Sequence, residues 1–182
     1  MRRDLLLGTG YIARLSDGRQ TTIRAARAGD EEPIQAFVGR LSLASRYQRF
    51  FLALRELSAA ALDHLVHADP HEVALVALTE QREVVGLVQY VGGTALDSAE
   101  AAVVVADSWR RIGLAERLLL DLTLVAEGAG VESMEAEILR ENVAAIALAS
   151  KLGAKVGGSA NGRGLVHVSK RLTETAGQAE LV

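Results

Sequence analysis

The chain has 182 residues, 49% of them hydrophobic, which is enough for one domain with a full core and too apolar for a disordered segment. A formal net charge of −3 argues against a global nucleic-acid-binding field, and the absence of cysteine excludes disulfides, thiolate metal ligands and a thiol nucleophile. No apolar run approaches the roughly 20 residues of a membrane-spanning helix. Leu5-Leu6-Leu7 before Gly8 is too short for a signal-peptide core, so the expected compartment is the cytoplasm.

Residues 4–24 read as extended, with Asp17-Gly18 a hairpin-type turn and Gln20–Arg24 a β-branched strand. Asp30 reads as the N-cap of a helix whose first turn carries Glu31, Glu32 and Pro33; Ile34, Phe37, Val38 and Leu41 recur at helical spacing. A second helix is expected from Leu43 to Leu54, with Tyr47, Phe50 and Phe51 on its apolar side. Ser58 caps a third. Asp69-Pro70 ends the helical region. Val73–Leu78 and Val84–Val91 follow as an antiparallel pair joined by a short loop, and Glu100–Ala106 is the next strand. Leu114, Ala115, Leu118, Leu119, Leu122, Val125 and Ala126 form one helical stripe, with Arg117 and Asp121 paired on the wet face. Gly128 and Gly130 stop that helix. Met134, Ala136 and Ile138 alternate with glutamates as a strand, and Asn142 opens a helix that Gly153 closes. Strands near Ala154–Val156 and Leu165–Arg171 complete the pattern, and a loose polar tail begins at Thr173. The order is strand, helices, three strands, helix, strand, helix, two strands: a mixed-sheet α/β (α+β) arrangement in a single domain over 1–182.

The stretch Val103–Ala115 carries the chemistry. An apolar β-branched run, Val103-Val104-Val105, ends in a polar break, then an Arg-rich turn with a glycine, then a strong helix pattern. Amides at a helix start have no intrahelical acceptor, and the helix dipole favours negative charge there, so such a turn suits phosphate. Arg110-Arg111-Ile112-Gly113-Leu114-Ala115 reads R-x-x-G-x-A: Gly113 permits close backbone approach, Ala115 is small, and the two arginines add positive charge. An ordinary strand–helix turn with solvated arginines reads the same way. Asn142, 29 residues beyond Gly113, opens a second helix, where a plain N-cap role is equally open.

On these residues the sequence resembles the GNAT superfamily of acyl-CoA-dependent N-acyltransferases. Its later motif, N-x-x-A-x-x-[LY]-x-x-K-L-G-F, stands here as Asn142-Val143-Ala144-Ala145-Ile146-Ala147-Leu148-Ala149-Ser150-Lys151-Leu152-Gly153-Ala154. Upstream, Asp17-Gly18-Arg19, Ile23-Arg24, Leu41-Ser42, Arg46–Phe51, Ala68-Asp69 and Ala74–Ala77 resemble the bacterial Pat-type protein lysine acetyltransferases; the likeness covers about 12–172. The resemblance implies a GNAT fold, with a mostly antiparallel sheet of six to seven strands flanked by helices. It implies acetyl-CoA as co-substrate, its diphosphate on the amides from Ile112 to Ala115 beside Arg110 and Arg111. The pantetheine arm would lie along Val103, Val104 and Val105 near Asn142, with Ser150 a further contact. Glu100, in Ala99-Glu100-Ala101-Ala102-Val103-Val104-Val105, corresponds to the general base. Two positions depart from the pattern: the Tyr that serves many members as general acid is Ala149, and the usual Phe after the glycine is Ala154. The implied acceptor is an amine, favoured as a protein lysine. A small amine or antibiotic is the alternative within the class, and a non-catalytic acyl-CoA-binding regulatory module is the alternative outside it. A homodimer is left open.

Three other patterns are set aside. Gly8–Ala13 imitates a dinucleotide fingerprint but leads into a hairpin turn where that fingerprint needs a long helix. His64, His67 and His71 crowd around Asp69, but Pro70 breaks the helix that would align them for a metal. Arg46, Arg49 and Arg55 read as the wet edge of an amphipathic helix, not as a nucleic-acid patch.

Overall fold

In the computed structural model, which describes residues 1–52, 54–93 and 96–172, every strand belongs to one eight-stranded sheet of order β1-β2-β3-β4-β5-β6-β8-β7. The strands are β1 Tyr11–Arg14, β2 Gln20–Ala25, β3 Glu72–Leu78, β4 Val84–Gly92, β5 Ala99–Val105, β6 Ser133–Leu139, β7 Lys155–Gly158 and β8 Leu165–Arg171. All neighbours pair antiparallel except β5 and β6. The elements expected from periodicity imply seven strands; the eighth is β1, the first half of the Asp17-Gly18 hairpin. The tail expected from Thr173 lies outside the described residues.

Helices α1 (Arg2–Leu7) and α5 (Leu114–Ala129) cover one face, here the rear, where Leu6, Ile23, Leu75, Leu118 and Leu122 form the larger core. Helices α2 (Glu31–Arg40), α3 (Leu43–Phe50) and α4 (Ala59–Val66) cover the front, where Phe37, Val38, Leu65, Val76 and Val104 form a second core. Because side chains alternate along a strand, β5 sends Val104 to the front core and Val105 to the rear one. Helix α6 (Val143–Lys151) lies beside the last strands.

Four expectations are corrected. Residues 2–7 are helical, not extended. Six residues are too few to hold a helix alone, so packing decides: Leu6 is fully buried in the rear core and Arg2 pairs with Asp121. Asp121 does pair with Arg117, at 3.6 Å, but it is fully buried, not on the wet face; Arg2 and the Tyr11 hydroxyl also donate to it. Asp30 stands at the N-cap position, yet its carboxylate does not cap α2. It takes two bonds from the buried Arg24 guanidinium, at 2.6 and 2.8 Å, and one from the Arg27 amide. Helix α3 ends at Phe50 and is rotated from the expected face: Ser45 and Arg46 are buried while Tyr47 is 45% exposed.

Candidate functional site

The parallel pair β5–β6 carries the geometry that matters. The two strands are in register only at Ala99–Met134 and Glu100–Glu135, and then they diverge. Beyond Glu100, β5 keeps its partner β4 on one side and has no strand on the other. Unpaired backbone groups along that open edge need partners, so the splay is a template for an extended, amide-bearing ligand. Two adjoining cavities, of about 470 and 330 Å³, fill the splay and share Gln48, Arg49, Val103, Asn142, Ala145 and Leu148.

The larger cavity contains most of the residues singled out by the R-x-x-G-x-A motif. Val103, Val104, Val105, Arg110, Arg111, Gly113, Leu114, Ala115 and Asn142 all line it. Ile112 does not; it packs on the rear core and its carbonyl accepts from the Ser16 amide. Ser150 lines neither cavity and is exposed on α6. Gly113 has φ +86°, the left-handed region that glycine occupies without penalty, and Arg111 has φ +60°, which a side chain tolerates only under constraint. This pair of turns leads straight into α5. The first intrahelical bond runs from the Arg117 amide to the Gly113 carbonyl, so the amides of 114–116 point out of the helix end without acceptors among the described residues.

Arg110 is not solvated in isolation. Its Nη2 donates to Ser45 Oγ at 2.7 Å and lies 3.4 Å from the Asp107 carboxylate. Asp107 also accepts from the Ser42 amide and from the Ser42 and Ser45 hydroxyls, at 3.0, 3.1 and 2.6 Å. Burial alone would raise the Asp107 carboxyl; these donors outweigh it and hold the group below the usual carboxylate range. The N-terminus of α3 is thereby fastened to the turn before α5, and Arg110 is aimed into the cleft before any ligand arrives.

The smaller cavity has Glu100 at its front. Glu100, Glu135 and Glu137 share one sheet face, with His167 3.3 Å from Glu137 and 3.8 Å from Glu135. Opposite them α3 presents Gln48, Arg49 and Phe50. Arg49 donates to Gln89 Oε1 at 2.9 Å and stacks over Phe50, while its Nε has no partner among the described residues. Burial pulls this guanidinium down to about 10, and the charge of Glu100 opposes that fall. Sequence reasoning placed Arg49 on a wet helix edge. The structure places it at the junction of both cavities. Its sequence signals were an arginine beside an aromatic residue, which a surface helix shows equally often, and its place in Arg46–Phe51, which carried part of the family resemblance but no role for this side chain.

Asn142 is both cap and wall. Its Oδ1 accepts from the Ala145 amide at 3.2 Å, while its Nδ2 has no acceptor among the described residues and the residue lines both cavities. Ala149 and Ala154, the two departures, line the smaller cavity. Among the described residues no His, Asp or Glu cluster could hold a metal ion, and no helix is long and apolar enough to cross a membrane.

Residues 26–154 match the model of the acetyltransferase (GNAT) family. An acetyltransferase of Pseudomonas aeruginosa is 36% identical over 132 residues, spanning 70% of each chain. Among solved structures, the GNAT domain of Streptomyces lividans PAT aligns over 90% of this chain and 97% of its own, with a TM-score of 0.83 at 27% identity. Spermidine N-acetyltransferase from Vibrio cholerae, solved with CoA and spermine, aligns over 84% and 95% with a TM-score of 0.66; at 20% identity it speaks for the fold alone. The orphan amides, the aimed Arg110 and the open edge of β5 fit a coenzyme A thioester. The chain belongs to the GNAT acetyltransferase family and takes acetyl-CoA as its co-substrate.

Proposed function

We propose that this enzyme acetylates the ε-amine of a protein lysine by direct transfer, with Glu100 as general base. The observation that carries the reading is the position of Glu100, at the head of the β5–β6 splay and on the α3 side. A free lysine has a pKa near 10.4, so about 4 in 10,000 are neutral at pH 7, a cost of about 4.6 kcal/mol. Glu100 accepts the amine proton, directly or through one water. The nitrogen–carbon bond forms as the carbon–sulfur bond breaks, and water returns a proton to the leaving sulfur, since Ala149 has none to give. No covalent acyl-enzyme is needed, and no cysteine exists to form one.

In this reading the amides from Ile112 to Ala115, with Arg110 and Arg111, hold the diphosphate. Val103 to Val105 and the Asn142 amide line the pantetheine arm, and Ser150 adds at most an outer contact. Gly113→Trp combines a strained φ with a bulky side chain in the cradle, and acetyl-CoA binding in calorimetry should be abolished. Unchanged affinity rejects this placement of the diphosphate.

A second acceptor class has its own support. Glu100, Glu135 and Glu137 on one face suit a small polyamine, whose second charge one carboxylate could hold. Comparing kcat/KM for a lysine peptide and for spermidine separates the two. A peptide preference of tenfold or more supports the lysine reading; a polyamine preference replaces it.

A further inference from the structure

The smaller cavity does not stop at the acceptor side. Its front is polar, formed by Glu100, Glu135 and Arg49; the same space continues through the splay to the rear face, between α5 and α6. Strand β6 alternates, so Met134, Ala136 and Ile138 face rearward while its glutamates face forward. The register places Ala136 opposite Val168, and Thr123 Oγ1 on α5 lies 3.9 Å from Met134 Sδ, which fixes that side as the rear. Leu119, Thr123, Leu152 and Ala154 add to the rear walls, and Lys170, paired opposite Met134 and so on the same face, is the charged residue among them. This lobe adjoins Val103 and Asn142, shared with the diphosphate-side cavity, so a chain running down the splay from that side reaches it before the rung at Glu100.

The 330 Å³ space includes the polar front where the amine enters as well as the rear lobe, and an acetyl group, which ends in one methyl, leaves the apolar walls of that lobe uncovered. Apolar walls gain nothing from an empty, wetted lobe and gain from each methylene that displaces water. We propose that the rear lobe is an acyl-chain subsite, and that the enzyme uses a straight saturated acyl-CoA of about four carbons at least as well as acetyl-CoA. The inference rests on the acetyl-CoA reading of the splay and extends it to the acyl group transferred. The balance of the reaction is unchanged: one amide bond forms, one thioester bond breaks, and one proton leaves the amine.

The test is kcat/KM for acetyl-, propionyl-, butyryl- and succinyl-CoA with one acceptor peptide. Each methylene fully buried in the lobe is expected to raise it roughly fourfold, so butyryl-CoA should exceed acetyl-CoA. Succinyl-CoA, which matches butyryl-CoA in length and ends in a carboxylate, reads whether Lys170 or the apolar wall governs the lobe, and should not exceed butyryl-CoA. Ala154→Leu and Thr123→Leu each fill the lobe from a different wall. Both should erase the butyryl advantage, lowering kcat/KM for butyryl-CoA more than for acetyl-CoA, and a cooperative thermal melt reports that each variant is folded. Butyryl-CoA used less well than acetyl-CoA overturns the subsite, as does a preference for succinyl-CoA or an acyl preference that neither variant alters. No turnover with any thioester removes the acetyltransferase reading itself, and the subsite with it.

Discussion

On one side of the splay, β3 buries six of its seven residues and is covered front and rear by two separate cores. On the other side, β7 buries none of its four residues, α6 buries none of its nine, and β6 buries only Met134. Both arms are hydrogen-bonded sheet, so the backbone does not distinguish them. The difference is side-chain burial, which supplies most of a fold's stability. The β1–β5 arm is a self-sufficient scaffold. The β6–β8 arm buries less: Met134 reaches the rear core and Val166 and Val168 are buried on β8, and the rest is held by its ladder, by two rungs to β5, and by the ion pair from Lys151 to Glu116 across the two helices, 2.6 Å. A ligand wedged in the splay would touch both arms and give the second one the burial it lacks.

The largest effect belongs to the last rung joining the arms. Glu100→Gln keeps the shape there and removes the proposed base. Turnover should fall by roughly 10²–10⁴-fold, with acetyl-CoA affinity in calorimetry little changed. Near-wild-type turnover removes Glu100 from the mechanism.

The scaffold arm can be broken at the Arg24–Asp30 pair, where both side chains are over 90% buried and each bond is met. Arg24→Ala leaves Asp30 buried and unpaired, at a cost of about 3–5 kcal/mol, without weakening acetyl-CoA binding by the folded fraction. The sign of its pH dependence follows from Asp30. Burial pushes that carboxyl up, but the Arg24 bonds and the Arg27 amide outweigh it and the folded-state pKa is depressed. Its contribution is therefore complete above the unfolded value, near 3.9, and is lost as pH falls through the folded value. The gap between wild type and Arg24→Ala, followed by denaturant melts, should narrow in that acid window. A gap that widens there contradicts the assignment.

What the sequence revealed and what it hid divide along local and long-range lines. The β-branched runs, the Ser58 and Asn142 caps and the R-x-x-G-x-A turn are local signals, and each formed where it was read. The proposed cofactor cradle is largely backbone, so a glycine and a helix start were enough to suggest it. Arg49, Ser45 and Asp107 were not legible, because their roles depend on partners 40 to 65 residues away. Asp121 misled for the same reason: a carboxylate beside an apolar stripe reads as a wet edge until Arg2, 119 residues distant, arrives to neutralise it. Helix α1 shows no periodicity in six residues that could outweigh an extended reading.

Ligand should act unevenly on the arms. Acetyl-CoA at 100 times its dissociation constant should stabilise the fold by about 2.7 kcal/mol. Hydrogen exchange should place most of the new amide protection in β6, α6 and the edge of β5, since the buried strands β3 and β4 are expected to exchange only by global unfolding with or without ligand. Protection spread evenly over β1–β4 would mean that the two arms open as one unit.

The smallest effect is the sharpest test of the burial contrast. Leu75 on β3 is fully buried, and Leu75→Ala should cost about 2–5 kcal/mol through lost transfer energy and the cavity left behind. Val156 on β7 is 47% exposed, and Val156→Ala should stay within about 0.5 kcal/mol. Denaturant melts of the two variants, read against one wild-type curve, measure the contrast directly. Equal costs would mean that β7 is covered in solution, by a second copy or by chain outside the described residues. The C-terminal arm would then owe its order to that cover, and the ligand in the splay would have less stability left to add.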